Sequence, residues 1–172
     1  MLRRMITALV HAERNVQALS ATLSALVPAV VDGLIRDAVV IGQHDQQELV
    51  DIAEAVGAIF VVVAERDDPW RRGAEAARGE WVLCLKAGDV LVDSWARNIE
   101  RFLNTQSSCR FGRISRRDCS RIERYAAHAG SWFGVRHLQP GDLAPRSLAL
   151  APLRRSRPTW IGALIERDPA FG

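Results

Sequence analysis

Apolar positions along the first hundred residues follow two alternating rhythms. Met5 to Val10 is a short apolar run around Thr7 and predicts a first strand. From Asn15 to Val31, Val16, Leu19, Leu23, Leu26 and Val27 recur at helical spacing, with Asn15 placed as an N-cap and the Asp32-Gly33 pair as a stop. Ala38 to Ile41 is a β-branched run that breaks at Gly42, and the stretch QQELVDIAEAVGA predicts a second helix ending at Gly57. IFVVVAE is a third strand, apolar enough to be buried on both faces. A short helix from Arg71 to Arg78, ended by Gly79, precedes a fourth strand, WVLCL. Strand and helix in strict alternation predict an α/β fold with a mostly parallel sheet, flanking helices and right-handed crossovers.

Beyond Trp95 the pattern is weaker. Trp95 to Leu103 has a helical face of Trp95, Ile99, Phe102 and Leu103, CRFGRIS suits a strand, and CSRIERYAAHAGSWFG suits a helix and turn. After His137, Pro140, Pro145, Pro152 and Pro158 recur so closely that long regular elements are not expected. The longest apolar stretches, such as Ala25 to Val31, fall far short of the roughly 20 residues a membrane helix needs. MLRRMITALVHAER lacks a small-residue cleavage site and suits a first strand better than a secretory signal.

Composition narrows the class. At 172 residues and 48% hydrophobic, the chain is long enough for a single domain with its own core. Cys84, Cys109 and Cys119 form no CxxC pair, and Cys84 sits inside an apolar run, so a reducing cytoplasm fits better than a disulfide framework. His11, His44, His128 and His137 lack metal-ligand spacing. Net charge is +3, and Lys86 is the single lysine among 23 basic residues. The arginines gather at Arg110 to Arg124 and at Arg154, Arg155 and Arg157, either as a solvated face or as a surface for a protein partner, a phosphate-bearing substrate or an anionic membrane. No aromatic interleaving of a nucleic-acid-binding kind accompanies them, so nucleic acid is not an expected partner.

In an open parallel sheet, ligands sit beyond the carboxyl ends of the strands. The residues that matter most are therefore His11 to Arg14, Gly42 to Gln47, Glu65 to Pro69 and Lys86 to Asp89. No GxGxxG or GK[ST] phosphate loop occurs.

The run from HAERNVQALSATL through VVIGQHDQQ to RRGAEAARGEWVLCLKAGDVLVDSW resembles the family 2 glycosyltransferases, small bacterial branch, over residues 5 to 103. QPGDLAPRS extends the similarity. The resemblance implies a GT-A, Rossmann-like single domain over residues 1–172. Residues 1–95 would form its nucleotide-binding half and residues 96–172 a reduced, shortened acceptor half. It also implies transfer of a sugar from a nucleotide-sugar donor; the expected location is the cytoplasm, or peripherally the inner membrane. The family's base-reading aspartate falls on Gly42, and its Gly-Gly-Ser-Thr-Asp on Gln43 to Gln47. Its metal-bridging aspartate falls on Gly88, with Asp89 one residue later and Lys86 where relatives carry histidine or aspartate.

Sugar transfer from a nucleoside diphosphate needs the leaving diphosphate neutralised, usually by Mg²⁺ or Mn²⁺ on carboxylate oxygens, and a base for the acceptor hydroxyl. The resemblance makes Glu13, Asp45, Lys86 and Asp89 candidate donor-site residues, Asp89 the candidate metal ligand if the loop is rebuilt, and Asp142 of PGDL the candidate base. Each has a bland counterpart: Asp45 as a cap for the helix near Gln46, Asp89 as a cap or turn residue, Lys86 and Glu13 as surface charges. Lys86 could neutralise phosphate directly, without a metal bound by the usual motif. Trp132 and Trp160 are candidates for stacking on a sugar ring. The alternative is a catalytically silent GT-A pseudoenzyme serving as a binding or scaffold protein.

Overall fold

In a computed structural model of the chain, residues 5–42, 46–92, 94–105, 111–117, 137–151 and 157–167 are described. β1 (Ile6–Ala12) is buried along nearly its whole length, because apolar side chains leave it on both faces. Ile6, Ala8, Val10 and Ala12 enter one core cluster while Leu9 enters a second. A strand of that kind needs cover on both sides, which is the environment of a central parallel strand.

The cover comes from the elements predicted around it. α1 (Val16–Val31) starts where the Asn15 side chain accepts a hydrogen bond from the Ala18 N–H at 3.0 Å. It stops at Asp32, where Gly33 takes φ 72° and the Gly33 and Leu34 amides close back on Val30 and Ala29. That is a Schellman motif, and glycine supplies the left-handed residue it requires. α1, α2 (Gln47–Ala55) and α4 (Trp95–Thr105) bury Leu19, Leu23, Leu49, Ile99 and Phe102 against one face of the sheet. Trp70 and Ala74 of α3 (Pro69–Ala76) and Ala149 of α5 (Arg146–Leu150) cover the other. α3 begins two residues before the expected Arg71. The Asp68 carboxylate caps the Trp70 N–H at 3.0 Å, and Pro69 suits the first helical position.

β2 (Ile35–Gly42), β3 (Ile59–Val62) and β4 (Trp81–Lys86) complete the parallel half. The remaining strands are β5 (Asp89–Val92), β6 (Gly112–Arg116), β7 (Asp142–Pro145) and β8 (Thr159–Arg167). All eight join one mixed sheet in the order β3-β2-β1-β4-β7-β6-β8-β5. β7 runs antiparallel to β4 and β6, and β5 antiparallel to β8.

Two expectations are corrected by this arrangement. β3 is an edge strand, half-buried and with Val62 exposed, because it has a neighbour on one side alone. The proline-rich C-terminal part holds β8, at nine residues the longest strand described. Pro158 precedes it, outside the ladder, so the missing N–H costs no pairing. The helix and turn expected over 119–134 lie outside the described residues. Among the described residues no helix is long and apolar enough to cross a membrane.

Candidate functional site

β1 lies between β2 and β4, and the register aligns their carboxyl ends: Ala12 is opposite Gly42, and His11 is opposite Lys86. Gly42 and Lys86 therefore flank one strand, about 10 Å apart at the usual interstrand spacing. A cleft of about 680 Å³ opens at this end, lined by Glu13, Arg14, Asn15, Glu48, Ala87 and Arg167 among others. α1 starts in it, so the positive end of a 16-residue helix faces the cavity.

Glu13 and Lys86 meet at this end. Lys86 Nζ lies 2.7 Å from Glu13 Oε1, with both side chains partly solvent-exposed. The hydrogen bond from Lys86 holds the Glu13 carboxyl below its ordinary value, against a smaller opposing effect of burial. Behind the pair, the His11 ring packs edge-on against Trp70 at 6.0 Å, and its Nε2 is buried without a hydrogen-bond partner. Burial lowers the pKa of His11, with Glu13 raising it and Lys86 lowering it further. The imidazole is thus neutral at physiological pH.

The segment after Lys86 is rebuilt around Gly88. Its φ of 94° lies where side-chain-bearing residues are strained, and its N–H donates to Ala18 O at 3.0 Å and Thr22 Oγ1 at 2.9 Å, pinning the turn to α1. The turn sends Asp89 inward. Its carboxylate is fully buried; one oxygen accepts from Arg116 and the other from the Lys86 N–H at 2.8 Å. A pairing partner 27 residues away has no local sequence signal, and neither does Arg167, which lies opposite Asp89 on β8.

Asp142 is placed elsewhere, between β4 and β6. Arg113 grips it bidentately, Nε to Oδ1 at 2.6 Å and Nη2 to Oδ2 at 2.9 Å, and the Gln139 N–H donates to Oδ2 at 2.9 Å. Burial pushes the Asp142 carboxyl up, and the Arg113 and Gln139 hydrogen bonds oppose that. Asp45 lies outside the described residues; the N-cap of α2 is Gln46, which makes no side-chain capping bond. Trp132 is likewise outside, while Trp160 is exposed on β8 and Trp70, Trp81 and Trp95 are core.

The described arginines of the first cluster each pair with a carboxylate distant in sequence: Arg113 with Asp142, Arg116 with Asp89, Arg117 with Glu166. Arg110, Arg121, Arg124, Arg154 and Arg155 of the two clusters lie outside the described residues. Burial raises the Cys84 thiol well above its ordinary value, so it is not a nucleophile here.

A divalent cation does not fit the described residues of this strand end. Each Asp89 oxygen accepts a hydrogen bond within the fold, Gly88 offers no side-chain ligand, and Glu13 at the same strand end is bound to an ammonium. Among the described residues no group of three or more His, Cys, Asp or Glu side chains is arranged to hold a metal.

No family model matches the chain, and no curated protein matches its sequence. Solved structures do. Glucosyl-3-phosphoglycerate synthase from Mycobacterium tuberculosis, in complex with Mn²⁺, uridine-diphosphate and phosphoglyceric acid, superposes with a TM-score of 0.64 at 18% identity, over 84% of this chain and 57% of that one. The same enzyme with Mn²⁺ and uridine-diphosphate-glucose gives 0.64, 18%, 84% and 57%. A structure described as a mycobacterial protein gives 0.62, 19%, 84% and 54%. This chain spans little more than half the length of these neighbours. At such identity the likeness shows the fold: a mixed α/β GT-A architecture with a mostly parallel, curled sheet and flanking helices.

Proposed function

We propose that the chain is one GT-A domain over residues 1–172, with residues 1–95 as a nucleotide-binding half and 96–172 as a reduced acceptor half, and that it binds a nucleotide-sugar donor in the cleft at the carboxyl ends of β1 and β4. The observation that carries this reading is that the α1 N-terminus lines that cleft while Lys86 borders it, paired with the lining residue Glu13. Both are positive, and they sit where a parallel sheet receives phosphate. In this role Lys86 supplies the charge that a cation supplies elsewhere. The neighbours' uridine-diphosphate and uridine-diphosphate-glucose are the first ligands to try.

Transfer would break the bond between the anomeric carbon and the donor phosphate oxygen, form a bond from that carbon to an acceptor oxygen, and pass the acceptor proton to a base. Asp142 and Asp89 are not available for that proton in this arrangement, since each is buried and fully hydrogen-bonded. That commitment favours, as a second reading, a donor-binding domain that does not turn over and serves as a scaffold.

A thermal-shift screen with UDP, GDP and their glucose conjugates, in EDTA and in Mn²⁺, tests the first reading. Ligand bound to the native state alone at 100 Kd adds about 2.7 kcal/mol, or a rise of roughly 5–11 °C for a chain of this size. No shift with any nucleotide in either condition would remove the donor-binding reading. A shift without sugar transfer to any acceptor tried would leave the scaffold reading in its place.

A further inference from the structure

We infer that Glu13 is a built-in counter-anion of the cleft: its carboxylate holds the Lys86 ammonium in the position a diphosphate would take, and gives way when a diphosphate binds. The inference rests on the nucleotide-binding reading above and adds to it a residue that sets anion affinity.

The geometry is specific to this pair. Lys86 ends β4 opposite His11, and Glu13 is the first residue past β1, so the 2.7 Å contact ties together the ends of two adjacent strands beside the cleft that Glu13 and Ala87 line. Asp89, three residues from Lys86, does not compete for the ammonium, because both its oxygens are taken within the fold. The groups lining the cleft are Arg14 and Arg167 against Glu13 and Glu48, with Lys86 entering through Glu13. Arg167 also acts on Glu13 electrostatically, in the same direction as Lys86. The lining groups alone balance, two against two; counting Lys86, three basic groups stand against two carboxylates, and Glu13 offsets part of that charge.

Glu13 is 59% exposed and Lys86 27%, so solutes reach both partners. An ion pair this open is weak and screened by salt. A diphosphate, with two charged groups and several acceptor oxygens, makes stronger charge-assisted hydrogen bonds to the same ammonium and to the α1 amides. Because Lys86 holds the Glu13 carboxyl below its ordinary value, Glu13 stays ionised through the neutral range, and its anion is present to be displaced.

The experiment is calorimetric titration, in EDTA, of wild type, Glu13→Gln, Glu48→Gln and Lys86→Met with two probes, UDP and inorganic pyrophosphate. Glu13→Gln should bind both roughly two- to fivefold more tightly than wild type, the strength of an exposed pair. Glu48→Gln, which lines the cleft but forms no pair with Lys86, should gain less, and Lys86→Met should lose binding. UDP binding to wild type with no gain in Glu13→Gln overturns the inference and leaves the nucleotide reading standing. A gain for pyrophosphate with no UDP binding to any form supports Glu13 and removes the nucleotide reading. Equal gains in Glu13→Gln and Glu48→Gln overturn it too, since general charge would explain them. If neither probe binds any form, both ideas fall.

Discussion

Replacing Asp142 by asparagine separates a structural clamp from a catalytic base. Asp142 and Arg113 have side chains 0% and 4% exposed, joined by contacts of 2.6 and 2.9 Å, with a third hydrogen bond from Gln139. Burial pushes the carboxyl up, while all three hydrogen bonds favour its ionised form, and the bidentate contact joins β6 to the start of β7 as a buried ion pair. An asparagine side chain would keep the volume but turn an amide donor toward a guanidinium whose Nη1 already has no partner. Leaving one charge of a buried pair uncompensated costs about 3–5 kcal/mol. At about 2–4 °C per kcal/mol for a chain of this length, the melting temperature should fall by roughly 6–20 °C. Urea unfolding at pH 7, followed by tryptophan fluorescence, reads this directly, since Trp81 of β4 lies opposite Pro145 of β7. The double variant Arg113→Met/Asp142→Leu removes both charges and should return to within about 2 kcal/mol of wild type. An Asp142→Asn protein within about 1 kcal/mol of wild type, with an unchanged denaturant slope, would refute the clamp. Such a protein losing sugar transfer would instead identify Asp142 as the base.

Asp89→Asn should behave similarly, losing about 3 kcal/mol in urea unfolding through the stranded Arg116, while UDP binding in EDTA is unchanged; abolished binding would make Asp89 a ligand. Gly79→Ala should cost about 3 kcal/mol by the same assay, because a Cβ there meets Met5 O and Thr7 N, both backbone, at 2.7 Å; a variant as stable as wild type would show that β1 can shift. His11 has a lowered folded pKa, so its contribution is present above the unfolded value of about 6.5 and lost as pH falls through the folded one. Melting temperature against pH should therefore slope less on the acid side below about pH 6.5 in His11→Phe than in wild type; identical slopes would assign the acid loss to other groups.

The parallel half of the fold was legible because its signals are local. Asn15 as a cap and Asp32-Gly33 as a stop are consecutive choices whose geometry follows from one residue's side chain and another's lack of one. The apolar pattern of β3 did not reveal its place at the edge, since strand order depends on the other strands. β8 was hidden for a different reason: its prolines mark a boundary, and its partners β5 and β6 lie about 45 to 80 residues earlier. Lys86 and Glu13 stand out in the sequence because they lie at the ends of predicted strands, but their pairing across two strands does not. What aimed Asp89 inward was not its own identity but the positive φ of Gly88 and an arginine 27 residues on. Arg113 and Asp142, 29 residues apart, pair for the same non-local reason.

Every assignment at the strand ends depends on a nucleoside diphosphate being able to occupy the cleft beside Lys86. Amide chemical shifts of ¹⁵N-labelled protein titrated with UDP in EDTA test it at residue level. The expected result is saturable movement confined to the ends of β1 and β4 and the first turn of α1, with His11, Glu13, Val16, Lys86 and Ala87 leading. Unmoved spectra, or movement centred on α4 instead, would contradict it.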